Sequence, residues 1–291
     1  MVLKFHSLRL MLMAFLLSLV PASSFAGVFI SVRVGPPVLP VYEVPACPEP
    51  GWIWTPGYWA YGPDGYYWVP GAWIPAPYEG ALWTPGYWGW GDGGMYLWHP
   101  GYWGNHVGYY GGINYGGGYF GIGFAGGMWR GHDFVYNTAV VHVNNTYIHN
   151  TYVDRTVIER NTIVNNHVAF NGGPGGVVHP MGASERIAMQ DRHMGATSFQ
   201  TNHEQTSRSD RGSYFSSNGG RPSTMAMARP SGWNSSQQQG FSQQRSQQRS
   251  QQRSQQFQNQ RAQPQAQRQQ QAPHVQPQQR IGGGNDHERR Y

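Results

Sequence analysis

Four copies of Trp-x-Pro-Gly-x-Trp in one short stretch constrain this chain more than any other feature: Trp54 to Trp59, Trp68 to Trp73, Trp83 to Trp88 and Trp98 to Trp103. Turn signals separate them: Gly62-Pro-Asp-Gly65, Pro75-Ala-Pro-Tyr-Glu-Gly80 and Gly91-Asp-Gly-Gly94. Extended segments joined by such turns predict antiparallel hairpins. In an antiparallel pair the numbers of opposed residues have a constant total, which tests the register. Trp54/Trp73 and Trp59/Trp68 both total 127, Trp68/Trp88 and Trp73/Trp83 both total 156, and Trp83/Trp103 and Trp88/Trp98 both total 186. One register per hairpin therefore lines up all eight indoles in two rows, 54-73-83-103 and 59-68-88-98, on a small meander over residues 51–104.

The hexapeptide is close to a palindrome, so each Pro opposes a Gly. Proline cannot donate to a ladder, and a facing glycine leaves room for a kink. Five residues between two Trp would put them on opposite faces of a regular strand, so a one-residue bulge at each Pro-Gly is expected to restore a common face. The competing geometry makes Pro-Gly itself the turn. It is less favoured, because proline at the first corner selects turns that splay two-residue hairpins.

Residues 51–110 contain ten Trp and ten Tyr but no Phe, Lys or Arg; their acids are Asp64, Glu79 and Asp92. Trp and Tyr carry large apolar rings with a polar tip, which suits a half-buried sheet. Stacked pairs worth about 0.5–1.5 kcal/mol each beyond area burial would hold such a sheet together as its core. One row could also serve as a platform for a ligand. The candidate ligand-binding residues are then Trp54, Trp59, Trp68, Trp73, Trp83, Trp88, Trp98 and Trp103, and the lack of nearby cations points to a neutral envelope polysaccharide, or another envelope component, as partner.

Trp54-Thr-Pro-Gly-Tyr-Trp59, followed by Tyr66-Tyr-Trp-Val-Pro-Gly-Ala-Trp73, resembles the YXWGXW (also written WXXGXW) repeat proteins of bacteria. The stretch leading into His167-Val-Ala-Phe-Asn-Gly-Gly-Pro-Gly-Gly176, and His203-Glu-Gln through Asn218-Gly-Gly-Arg-Pro222, are similar to longer members, so the resemblance spans roughly residues 50 to 230. It implies an exported or lipoprotein-type protein and carries over no catalytic residue. The chain departs from the lipoprotein pattern in having no Cys at the expected cleavage site.

Residues 1–26 read as a secretory signal peptide: Lys4 and Arg9, an apolar run from Leu10 to Val20, and small residues ending at Ala26. The run is too short to span a bilayer. The expected location is therefore periplasmic, outer-membrane-associated or extracellular. Cys47 is the one cysteine of the 291-residue chain, so no intramolecular disulfide can form; it either pairs with another chain or, the favoured reading, is an idle residue in a Pro-rich linker over 27–50.

The formal charge of +6 is unevenly divided. From Arg221 to Tyr291 there are ten Arg against Asp286 and Glu288, whereas Gly27 to Gly220 is mildly acidic. The Gln-rich tail repeats Ser-Gln-Gln-Arg from Ser242 to Arg253. It cannot bury enough apolar surface to offset ordering entropy and is read as disordered over 221–291. Its expected partner is an anionic surface. Nucleic acid is not expected, given the export signal.

Between repeat and tail the reading assigns a Gly/Tyr-rich segment (105–132), an Asn/Thr/Val-rich β segment (133–176) and a partly helical polar region (177–220). The Thr-containing units near Asn145, Asn150, Arg155 and Asn161 favour short bent strands with self-association as an option. Twelve His show no compact ligand spacing; His132 beside Asp133, and His142 with His149, are the nearest approach to a metal set. Asp64 and Asp92 are read as turn formers rather than calcium ligands. No nucleophile elbow or isolated carboxylate pair occurs, so the expectation is a non-enzymatic structural or adhesive envelope protein without metal or cofactor, the alternative being a self-associating outer-membrane or matrix assembly protein without a small ligand. The fold class expected is mainly β: the meander, an extended Gly/Asn/Thr-rich segment, short helices and the tail.

Overall fold

The computed structural model describes residues 30–157 and 167–234, with three single positions beyond them. The expected signal peptide, most of the tail with its Ser-Gln-Gln-Arg units, and residues 158–166 lie outside the described residues. The described residues up to Trp233 belong to one compact unit, which is mainly β.

After a two-residue β1 (Ser31–Val32), the first two copies of the motif supply β2 (Trp52–Thr55), β3 (Tyr58–Gly62), β4 (Gly65–Val69) and β5 (Gly71–Pro75). The last two supply β6 (Leu82–Thr84), β7 (Tyr87–Gly91), β8 (Met95–His99) and β9 (Tyr102–Gly104). Within each pair of copies the expected register is realised. Trp54 faces Trp73 and Trp59 faces Trp68; Trp83 faces Trp103 and Trp88 faces Trp98. The four facing pairs have ring centroids 5.2–5.5 Å apart in edge-on or tilted contact.

The middle hairpin, whose positions total 156, is not made. The edge of β5 is taken by β16 (Ala226–Met227), which runs parallel to it, and that of β7 by β15 (Phe170–Asn171), also parallel. The connecting sequences explain the difference. The outer connections are tight and end or centre on glycines with positive φ, Gly65 and Gly93, whereas Pro75 and Pro77 in the middle connection remove two donors and lengthen the loop. The chain thus forms two double hairpins, called here the first and second repeat units, instead of one continuous meander.

The expected bulge is also replaced. The positions paired on either side of each Pro-Gly keep the same total, so both strands lose two residues from the ladder together and the register is unchanged. The reason lies in the rings. A Cβ on Gly71 would sit 2.5 Å from the Trp54 indole, and one on Gly57 would collide with Trp68. In the second unit the same relation holds between Gly101 and Trp83 and between Gly86 and Trp98, each at 2.5 Å. The first Trp of every copy lies across the glycine of its partner copy. Glycine at this position is a packing requirement.

The Pro-rich segment is a strap built into the core, not a loose linker. Without a ladder of its own, it has free carbonyls that accept from the repeat: Trp59 Nε1–H donates to Val38 O at 3.0 Å, Trp73 Nε1–H to Pro45 O at 2.8 Å, and Tyr66 Oη–H to Val34 O at 2.6 Å. Leu39 and Cys47 are buried in the core beneath it. Burial pushes the Cys47 thiol up to about 12, so it stays protonated and unreactive.

The Gly/Tyr-rich segment forms β10 (Asn114–Gly116), β11 (Tyr119–Phe120) and β12 (Gly127–Arg130), and the next one β13 (Asp133–Asn137) and the parallel β14 (Thr151–Tyr152). Tyr110, Tyr119 and Tyr136 are fully buried, each with its hydroxyl on a backbone carbonyl. Two helices follow, α1 (Ala183–Gln190) and α2 (Ser198–Ser209), then a short α3 (Phe215–Asn218). The chain returns to the sheet in β16, and Trp233 packs edge-on against Trp52 at 4.8 Å. Residues 221–233, expected in the tail, therefore belong to the compact unit.

Candidate functional site

The two repeat units face each other across a cleft. The first turns Thr55, Pro56, Tyr58, Val69 and Pro70 toward the second, which answers with Trp83, Pro85, Gly86, Trp98, Pro100 and Gly101. The prolines and glycines that interrupt the ladders line this cleft of about 350 Å³, with Tyr102 and Tyr115 on its walls. α2 and the Gly195-Ala196 turn close one side of it.

α2 is fixed over the cleft by one face of its polar sequence. Gln200 Oε1 accepts from Trp103 Nε1–H at 2.8 Å and from the N-cap amide of Thr197 at 2.8 Å, which serves as a cap at the same time. His203 Nε2–H donates to Pro70 O at 2.8 Å while Nδ1 accepts from the Ser231 amide at 3.0 Å. Those two partners define a neutral imidazole, and burial pulls its pKa below the usual histidine value against the opposing effect of the Pro70 bond. Glu204 accepts from Tyr58 Oη at 3.0 Å and from Tyr67 Oη at 3.1 Å. Both phenols are raised above their ordinary range, chiefly by burial and secondarily by this carboxylate. Among the described residues, Glu204 is the one acid lining the cleft, and no Lys or Arg lines it.

Of the eight indoles read as a ligand platform, Trp54, Trp59, Trp68, Trp73, Trp83, Trp88 and Trp103 are buried, and only Trp98 is partly exposed. Burying a ring of ~200 Å² at ~25 cal/mol per Å² stabilises by on the order of 5 kcal/mol before entropy is counted. That exceeds any pairwise ring term and marks the rows as core. Two of the eight, Trp83 and Trp98, border the cleft. Trp98 stacks on Tyr58 with centroids 5.1 Å apart and planes 17° from parallel. The sequence reading did not single out Tyr58, Tyr102, Tyr115, Gln200 or Glu204 for this surface. The available signal was the helical spacing of Gln200, His203, Glu204 and Ser207, which places them on one face.

The remaining histidines are scattered. His132 meets Glu79 at 2.5 Å and His106 meets Asp191 at 2.7 Å, both at the surface. Among the described residues, no group of three or more His, Cys, Asp or Glu assembles in metal-binding geometry, and no helix is long and apolar enough to cross a membrane.

Comparison with known proteins returned no matching curated protein and no matching solved structure. A family model did match, and each of its two copies spans one double hairpin, residues 50–73 and 82–104. The chain therefore carries two copies of the WXXGXW repeat.

Proposed function

We propose that the chain is an exported, non-enzymatic envelope protein that binds a neutral polysaccharide in the cleft between its two repeat units. The observation that carries this is the lining: Tyr58, Trp83, Trp98, Tyr102 and Tyr115 beside four prolines, with one carboxylate and no cation among the described residues. Aromatic rings with a few fixed polar groups suit the C–H faces and hydroxyls of sugars. A cleft with net negative character disfavours anionic polymers. Export rests on the leader-like residues 1–26, and the eight Arg after residue 234 are suited to holding the protein on an anionic surface.

Calorimetric titration with soluble neutral polysaccharides tests the site. Ala196 is exposed at the cleft mouth, so Ala196→Trp is expected to block binding without disturbing the core. Undiminished binding by that variant would remove the cleft from consideration. Fractionation of cells with mass spectrometry of the mature N-terminus tests export, and deletion of residues 242–280 should abolish salt-sensitive retention on anionic vesicles.

A second reading, assembly without a small ligand, is favoured by Val34, Val38 and Val41, which stand 66–71% exposed along the strap. Concentration-dependent sedimentation with no saturable sugar binding would select it.

A further inference from the structure

The two repeat units are equivalent in sequence and register, so each position in one has a counterpart in the other. Trp68 corresponds to Trp98, Gly57 to Gly86 and Gly71 to Gly101. Interruption of the ladder frees the same backbone donors in both. In the first unit the protein caps them. Gly57 N–H donates to Tyr42 Oη at 2.9 Å. Met225 O accepts two bonds at once, from Gly71 N–H and from Trp68 Nε1–H, both at 3.1 Å. In the second unit, among the described residues, Gly86 N–H, Gly101 N–H and Trp98 Nε1–H have no acceptor, and all three residues line the cleft. Buried or half-buried amides are rarely left this way, because an unmade bond forfeits their desolvation cost.

We propose that this donor set is a binding site for an amide carbonyl, and that the cleft selects an N-acetylated sugar. The assignment rests on the polysaccharide reading above and deepens it. The Met225 carbonyl shows the chemistry the counterpart donors satisfy: one sp² oxygen with two lone pairs, held between a glycine amide and an indole N–H. A sugar hydroxyl offers a weaker and less directional acceptor. A peptide strand offers the right carbonyl, but the strand edge beside Gly101 is already occupied, since Trp103 and Met194 exchange both backbone bonds at 2.7 and 2.9 Å. An acetamido group needs only the single opening at Gly101. Across the cleft, Glu204 retains lone pairs beyond those used by Tyr58 and Tyr67 and can accept an amide N–H or a hydroxyl.

The test compares triacetylchitotriose with cellotriose, which share linkage and length and differ in the acetamido groups, using calorimetry and amide and indole NMR on the full chain. The expected result is at least about tenfold tighter binding of triacetylchitotriose, the worth of one net hydrogen bond, with shifts of the Gly101 amide and Trp98 indole signals. Trp98→Phe keeps a ring against Tyr58 and loses the donor; it should erase most of that preference while its unfolding midpoint reports whether the fold is retained. Equal binding of the two trisaccharides overturns the amide site and leaves the polysaccharide reading standing. Failure of these and of every neutral polysaccharide overturns both. Shifts of Gly101 produced by an acetyl-capped pentapeptide alone would assign the donors to a peptide instead.

Discussion

The two repeat units share sequence, register and ring geometry and both border the cleft, yet the donors beside Pro-Gly are capped in one and open in the other. Around the first, Tyr42 and Met225 cover the glycines and α2 reaches Tyr67 through Glu204. Around the second, Gly86, Trp98 and Gly101 line the cleft instead. A motif that folds identically twice has thus been placed in two environments by chain remote from it. The motif sets the scaffold, and the surrounding strap and helices decide which copy has its backbone donors capped.

Substitutions at equivalent positions sharpen this contrast. The largest effect is expected for Trp68→Ala, which removes a fully enclosed indole and its bond to Met225 and should cost about 4 kcal/mol by urea denaturation. Trp98→Ala, at the partly exposed counterpart, should cost about half as much because water can enter the space. Equal losses would mean that the second unit is as closed as the first. Next come Gly71→Ala and Gly101→Ala. Each new methyl meets an indole at 2.5 Å and backbone within 2.9 Å, so both should lose about 3 kcal/mol, and here the two units should agree.

A smaller effect is expected for Tyr42→Phe. It strands the Gly57 amide and should cost about 1–2 kcal/mol, bringing the first unit to the condition in which Gly86 already stands. If melting is unchanged, the capping account of that amide is wrong. The smallest concerns pH. The imidazole of His203 titrates lower in the folded chain than in the unfolded one because it is desolvated, so the unfolded state takes up the proton first. Stability should be independent of this group above pH ~6.5 and fall below it by at most ~1.4 kcal/mol per pH unit. His203→Gln should flatten that slope in urea midpoints measured at pH 7.5, 6.5 and 5.5.

The sequence made the short-range part of this structure readable. Facing of Trp54 with Trp73 or Trp88 with Trp98 follows from turn length and motif spacing alone, and both registers occur as expected. The middle hairpin did not, because competition from β15 and β16, about 80 and 155 residues away in sequence from the strands they pair with, is invisible to local arithmetic. Spacing within one copy suggests a bulge at Pro-Gly, because it does not show that the facing copy interrupts its own ladder at the same level. The strap was read as a linker for a related reason: proline-rich chain has no hydrophobic period, and its carbonyls become valuable only once Trp59 and Trp73 need acceptors. Glu204 and Gln200 lie in a segment of low hydrophobicity whose use emerges only when α2 is docked.

The reciprocal seating of indole on glycine has an arithmetic consequence for how such chains can grow. A lone copy would leave its leading ring without a seat and its glycine uncovered, so copies should be gained or lost two at a time. Relatives carrying the motif are then expected to count it in even numbers, and a drift from glycine in one copy should be accompanied by a smaller ring in its partner.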